Sequence, residues 1–422
     1  MFAELEGQYT PPYLILSHRW GTDEVSYKDF RKGRAKETAG YRKVLDLCSF
    51  ARSRNFRRLQ PYETSEKHEI SHKYEWVWID TCCIDKRSSA ELSEAINSMY
   101  RWYADAEECV VRLSDVPSLA EGEEKVRSAF WRSGWSHRGW TLQELLAPSL
   151  VIFCTDSWEV FGHKSGITSL PGGEHAAHGV RFALGPTPPV LEYGPALNAE
   201  ISDITRIQPA YLSCLQEVRE ASIARRMSWA ADRRTTRVED QAYCLLGLFN
   251  ITMPLLYGEQ DEAFRRLQEE LVKRSCDQSI FVWQSEYDLD HGMFARSADQ
   301  SKNIGDVIPS AHTVPCPYFV SNRGAELDSS ARKVVISGPW RDYDNYVITL
   351  NCKYSPERQS GLYSADRCAI VLVRIGDRYW RVRPSVSTAV SQGDVKSTSR
   401  VETPVMHFIV EAWKTSYRGI IS

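Results

Sequence analysis

Two short apolar runs end abruptly in polar or charged residues: Tyr13-Leu14-Ile15-Leu16 runs into Ser17-His18-Arg19-Trp20-Gly21, and Trp76-Val77-Trp78-Ile79 runs into Asp80. Continuous apolar runs separated by helical stretches read as buried parallel strands, and in an open α/β sheet the ligand crevice lies beyond the strands' carboxyl ends. Between the two runs, Val44, Leu47, Cys48 and Ala51 recur at helical spacing within Tyr41 to Arg54, which predicts a crossover helix. The polar stretch from Asn55 to Glu75 reads as a surface loop. Leu92, Ala95, Ile96, Met99 and Tyr103 form one face of a second helix, and Glu108 to Leu113 follows as a strand. This βαβαβ alternation predicts a parallel sheet, closed by two short strands within residues 150–161.

Beyond this α/β part the pattern changes twice. Gly162 to Pro195 holds Gly172-Gly173, Pro186, Pro188-Pro189 and Pro195, too many breakers for regular structure, so residues 162–196 read as an insertion loop. Residues 197–285 are helical: Thr236-Arg237-Val238-Glu239 has capping-box spacing, Val238, Ala242, Leu245, Leu246 and Phe249 continue as an apolar stripe, and Phe264, Leu267 and Leu271 mark another helix ending in Lys273-Arg274. The segment is expected to pack on the first domain. From residue 294 to 422 short strands take over: Lys333–Ser337, Tyr346–Leu350, Cys368–Ile375, Tyr379–Val382 and Met406–Trp413, with Gly376-Asp377 as a two-residue hairpin turn. The fold class is thus α/β over 1–161, followed by a helical segment and an all-β tail that carries no catalytic constellation.

Composition narrows the partners. With 422 residues and 42% hydrophobic content the chain can bury more than one core, and a formal charge of −3 implies neither nucleic acid nor an anionic membrane as partner. The amino terminus has acids where a signal peptide needs bases, and no apolar run is long enough to span a membrane, which points to the cytoplasm. Eleven cysteines in apolar contexts fit reduced thiols. His175 and His178 sit three apart without a further ligand cluster, so no metal site is expected. No P-loop or GxGxxG motif appears, which argues against an ATPase or a hydride-transfer enzyme.

Candidate chemistry centres on Ser136-His137-Arg138-Gly139-Trp140-Thr141-Leu142-Gln143-Glu144-Leu145. Read as one helix, it projects His137, Trp140 and Glu144 from one face, with Leu142, Leu145 and Leu146 on another. A carboxylate beside an aromatic platform suits stabilising a positively charged, ring-shaped reaction centre, as in cleavage of an N-glycosidic bond. An ordinary amphipathic helix with a solvated Glu144 would give the same spacing.

The blocks YLILSHRWG, WIDTCCIDKRSSAELSEAINSMYRWYADAEECVVRLSDV and RGWTLQELLAP resemble the heterokaryon incompatibility (HET) domain of filamentous fungi, a trigger of self/non-self recognition and cell death. SWAADRRTTRVEDQAYCLLGLFNITMPLLYGEQDEAFRRLQEELVKRSCDQSIFVW is similar to the segment that follows this domain in many such proteins, so the likeness covers roughly residues 9–285. A more distant resemblance, in the same order along the chain, is to Toll/interleukin-1 receptor (TIR) domains. It is carried by Leu16-Ser17-His18-Arg19, Ile79-Asp80, the Leu92–Ser98 helix and Gly139-Trp140-Thr141-Leu142-Gln143-Glu144-Leu145, although Thr141 stands where many TIR domains have Cys.

The resemblance implies a TIR-like, flavodoxin-like parallel sheet. By analogy with enzymatic TIR domains, Glu144 would be catalytic in hydrolysing NAD at the nicotinamide–ribose bond, making the protein an NAD glycohydrolase with NAD as substrate and no cofactor. Ser17, His18, Arg19, Trp20, Asp80, Cys82, Asp85, Arg138 and Trp140 would bind the nucleotide. Self-association or a signalling partner is expected. Two other functions fit the same sequence: a non-catalytic death-signalling domain acting by assembly, and a fold reused in small-molecule biosynthesis.

Overall fold

The first apolar run forms β1 (Tyr13–His18), buried along its whole length. The chain continues through α1 (Tyr27–Arg31), α2 (Ala39–Ser53), β2 (Asn55–Leu59), β3 (Glu69–Lys73), β4 (Trp76–Trp78), α3 (Asp80–Cys83), α4 (Ser89–Asp105) and β5 (Glu108–Arg112). Then come α5 (Glu123–Trp131), α6 (Thr141–Leu146), β6 (Leu150–Cys154) and β7 (Val160–Ser165). The computed structural model describes residues 10–59, 69–165, 193–285 and 292–310. Towards the carboxyl terminus it describes 318–321, 324–327, 331–334, 342–355, 367–375, 378–382, 399–401 and 406–408.

The chain divides into two units. The first comprises Met1–Val218, Arg233–Thr235 and Cys244–Leu255, the second Arg219–Asp232, Thr236–Tyr243 and Leu256–Ser422. In the first unit a five-stranded sheet runs β4-β1-β5-β6-β7. β1 pairs parallel with β4 and β5, and β5 with β6, while β7 returns antiparallel on β6. The architecture is mixed α/β with a mainly parallel sheet. Because the strands after β1 fall on either side of it, β1 sits where the strand order reverses, the point at which doubly wound sheets open a crevice beyond the strands' carboxyl ends.

Strand alternation assigns the two faces. Leu14 and Leu16 of β1, Val110 of β5, and Ile152 and Cys154 of β6 share one core with Val44, Leu47 and Ala51 of α2. A fully buried Leu such as Leu47 contributes roughly 1.5–3 kcal/mol. Ile15 and Ser17 therefore face the other side. There the Tyr103 hydroxyl of α4 donates to the Leu16 carbonyl at 3.0 Å, and the Cys109 thiol donates to the Glu144 carbonyl of α6 at 3.8 Å. Thr38 and Ser88 cap α2 and α4 by accepting from the backbone N–H groups of Tyr41 and Glu91.

Three expectations are revised. The polar stretch Asn55 to Glu75 is not simply a loop: β2 and β3 pair antiparallel from Asn55↔Lys73 to Leu59↔Glu69, because Asn-Phe-Arg-Arg-Leu and Glu-Ile-Ser-His-Lys can pair through their backbones while keeping polar side chains. The Trp76–Asp80 strand stops at Trp78, and Asp80 opens a short helix. The stripe from Val238 to Phe249 is no continuous helix either. It breaks into two four-residue helices, Asp240–Tyr243 and Leu246–Phe249, with Val238 exposed. The second packs against α4 so closely that a Cβ on Gly247 would lie 2.1 Å from Tyr100 Cβ.

In the second unit, Ile223–Ala230 and Glu262–Arg274 are the longer helices. The β-rich part is a nine-stranded sheet whose central pairs are antiparallel, including Asp344–Tyr354 against Arg367–Ile375 and Arg367–Ile375 against Arg378–Val382. The Ile375↔Arg378 pairing brackets Gly376-Asp377, but this turn lies outside the described residues, as do His175 and His178. Among the described residues, no helix is long and apolar enough to cross a membrane and no group of acids, histidines and cysteines could hold a metal ion.

Candidate functional site

The segment expected as one helix from Ser136 is interrupted. A 3-10 turn spans Gly134–His137, and α6 begins only at Thr141. Gly139 explains the break: its N–H donates to the Arg234 carbonyl, and a Cβ there would lie 2.5 Å from Thr235 Cγ2, so the chain must leave helical geometry to pass this neighbour. Arg233, buried in the same unit, donates to the Arg138 carbonyl at 3.0 Å and to Thr141 Oγ1 at 3.1 Å. The turn that presents Glu144 is thus clamped from beneath. Burial pushes the Arg233 guanidinium down to about 10, against Cys244 and Glu144, which favour its charge.

Five of the six α6 residues are buried, and Glu144 is half-buried. Its Oε2 accepts a hydrogen bond of 2.5 Å from Ser17 Oγ at the end of β1, and Ser17 Oγ in turn accepts from Trp135 Nε1 at 2.8 Å. Desolvation raises the Glu144 carboxyl to about 8, assisted by the charge of Asp80. The Ser17 hydrogen bond and the charges of Arg138 and Arg233 oppose that rise without cancelling it. A carboxyl group that exchanges its proton near neutrality, at the carboxyl edge of the parallel sheet beside the strand-order reversal, is suited to proton transfer or to stabilising a developing cation.

Asp80, the first residue of α3, accepts from Trp20 Nε1 at 2.8 Å. Trp20 is 47% exposed, and Lys86 Nζ lies over its ring, 3.5 Å from the centroid and 3.9 Å from Asp80. An aromatic face, a carboxylate and an ammonium therefore meet at the rim.

The remaining candidates lie at varied distances from this centre. His18 is buried with Nε2 3.7 Å from Glu24. Burial tends to raise the Glu24 carboxyl, but His18, Lys43 and the Gly21 N–H outweigh it and hold it at about 2. Arg19 is exposed and passes over Gly134, where a Cβ would lie 2.7 Å from Nη1. Arg138 acts on Glu144 electrostatically, and Trp140 occupies the amino-terminal cap of α6. Cys82 lies in the α2-side core, its thiol pushed up by its hydrogen bond with Cys83 and by burial. Asp85 forms a two-pronged pair with Arg87, at 2.5 and 2.8 Å. Ser17, Glu144, Asp80 and Trp20 are thus brought together, whereas Asp85 and Cys82 are engaged elsewhere.

Trp135 was not singled out from the sequence, and Arg233 only as part of the polar run Arg233–Asp240, which reads either as a contact that packs against the first domain and positions its helices or as a charged helix start. Trp135 stands nine positions before Glu144 with no period that ties it to Ser17, and Arg233 lies far along the chain, where spacing does not choose between those two readings.

Residues 13–127 match the family described as heterokaryon incompatibility protein (HET). The match takes in Ser17, Trp20 and Asp80 and ends before Trp135 and Glu144. Residues 262–319 match a domain of unknown function (DUF8212). Vegetative incompatibility protein HET-E-1 of Podospora anserina is 38% identical over 269 residues, which is 62% of this chain and 16% of that protein. The chain thus spans about a sixth of its relative's length. No solved structure matches.

Proposed function

We propose that this protein is a heterokaryon-incompatibility effector whose HET region and following α6 helix bind a nucleotide and hydrolyse NAD at the nicotinamide–ribose bond. The observation that carries the reading is the Ser17–Glu144 hydrogen bond at the carboxyl edge of the sheet, with Asp80 and Trp20 beside it. The likeness to a vegetative incompatibility protein supports the biological setting.

In this mechanism the bond between ribose C1′ and the pyridinium nitrogen breaks, its electron pair leaves with nicotinamide, and positive charge develops on the ribose. Ionised Glu144 stabilises that charge, and water adds at C1′ and gives up a proton, first to Glu144 and then to solvent. NAD and water thus become nicotinamide, ADP-ribose and a proton. Trp20 or Trp140 stacks on a ring, Ser17 hydrogen-bonds Glu144, and Arg19, Arg138 and Lys86 supply positive charge for phosphates. The TIR-like, flavodoxin-like assignment, a cytoplasmic location, self-association and a recognition role for the β-rich tail belong to the same reading.

A second reading, a non-catalytic assembly domain, is favoured by the burial of five of the six α6 residues, which would make Glu144 a packing residue. Incubating the purified full chain with NAD at high protein concentration and separating nicotinamide and ADP-ribose by chromatography decides between them. Release by the parent chain and none by Glu144→Gln supports hydrolysis. Equal killing of cells by both proteins at equal abundance supports assembly.

A further inference from the structure

The proton inventory of the Trp135–Ser17–Glu144 chain has a direction. An indole N–H is a donor only, and a serine hydroxyl has one hydrogen. Because Ser17 Oγ accepts from Trp135 Nε1 at 2.8 Å, its own hydrogen is free to point along the 2.5 Å contact to Glu144 Oε2. The opposite polarity, with a protonated Oε2 donating to Ser17, would strand the Ser17 hydrogen: Ser17 is fully buried and has no other acceptor among the described residues. A buried donor left without a partner is costly. No protein donor among the described residues reaches Glu144 Oε1.

We propose that Trp135 and Ser17 are positioning residues that reserve Glu144 Oε2 as a permanent acceptor and make Oε1 the one atom of this carboxyl group that carries the proton. The group is surrounded by Tyr103 of α4, Cys109 of β5, Asp80 of α3 and the guanidinium groups of Arg138 and Arg233. The neutral acid is then O–H at Oε1 and C=O at Oε2, and ionisation releases the Oε1 proton to water or to a ligand. The inference deepens the reading of Glu144 as the reacting carboxyl: any proton exchanged with substrate passes through Oε1, which fixes the side of the group a ligand must approach.

Infrared difference spectra of the full chain between acid and alkaline pH test this without substrate, so their outcome is separate from that of the NAD assay. Bands absent in Glu144→Gln belong to Glu144. With Ser17 donating to the carbonyl Oε2, the protonated Glu144 C=O band is low. Ser17→Ala should move it to higher frequency and shift the titration up by about one pH unit, the loss of one hydrogen bond to a charged acceptor. Ser17→Thr should restore both. Trp135→Phe, which frees the hydroxyl to turn, should give a smaller shift of the same sign. If Ser17→Ala fails to fold, Trp135→Phe and Ser17→Thr carry the test alone. A C=O band unmoved by removal of the hydroxyl or of the indole donor, or a titration that moves down, overturns the proposal.

Discussion

Glu144 in the first unit and Glu239 in the second are both carboxylates set next to short helices, and their surroundings treat them oppositely. Glu239 is 7% exposed, and its Oε1 accepts from the backbone N–H groups of Gly258 at 2.7 Å and Gln260 at 3.2 Å. Backbone donors, its own N–H first and that of Gly258 next, hold its carboxyl below the usual range against a smaller burial penalty. Gly258 and Gln260 both have positive φ, so the charge of Glu239 secures a loop in a conformation that L residues rarely adopt. Glu144 receives one side-chain hydroxyl and faces the charge of Asp80, and burial wins. A carboxylate ringed by amides builds structure. One given a single donor stores an unfavourable charge that a cationic ligand or transition state can relieve.

The largest effect that would break this contrast is on rate. Glu144→Gln should lower NAD cleavage by at least about a hundredfold, the loss typical of one preorganised electrostatic stabiliser, with nicotinamide release as the measurement. Glu239→Gln should leave cleavage per folded molecule unchanged. Equal losses in both would mean that the two carboxylates share a structural role.

Stability should respond in the reverse order. Glu239→Ala removes the acceptor of two loop N–H groups and is expected to cost about 2 kcal/mol at neutral pH, read by denaturant titration of the full chain. Its folded value lies below the unfolded one, so its contribution is present above the unfolded value and is lost as pH falls.

The difference between the two carboxylates was only partly legible in the sequence. Apolar runs ending at Ser17 and Asp80 point to a parallel sheet and its carboxyl edge, and α2, α4 and β5 fall where their apolar periods put them. Local period carries that much. The start of α6 is not local, since it depends on Thr235 and Arg234 crowding Gly139, nearly a hundred residues away. Trp135 escapes notice, and the run from Arg233 reads two ways, for the same reason: a donor to Ser17 and a clamp under Thr141 are set by tertiary proximity, which spacing along the chain does not encode. The Thr236–Glu239 capping-box spacing likewise pointed to the right residue with the wrong partners, because the Glu239 side chain turns to the loop at Gly258.

The pH dependence of Glu144 sharpens the contrast further. A carboxyl at about 8 when folded, against an ordinary value in the unfolded chain, is more readily protonated in the native state. Its stabilising contribution is therefore full below the unfolded value and is lost as pH rises through about 8. Glu144→Gln, always neutral, should raise stability by about 1–2 kcal/mol near pH 9, because water reaching this half-buried group screens part of the cost of its charge, and change it little near pH 4. Melting curves of both proteins across that range test the sign. Where the ionised form is needed, kcat/KM should rise with pH through about 8.

The smallest effect concerns the rim. Trp20→Phe keeps an aromatic face 47% exposed in the parent and removes only the Nε1–Asp80 hydrogen bond of 2.8 Å. A hydrogen bond in such an exposed place is worth about 0.5–1 kcal/mol, so KM for NAD should rise roughly two- to fivefold while kcat and the melting temperature stay within error. Trp20→Ala also removes the stacking surface and the platform for Lys86, and should raise KM by a further factor of several. A kcat that falls with Trp20→Phe while KM holds would mean that the indole acts on Glu144 through Asp80 rather than on the ligand, and the rim would then belong with the buried carboxyl rather than with the binding surface.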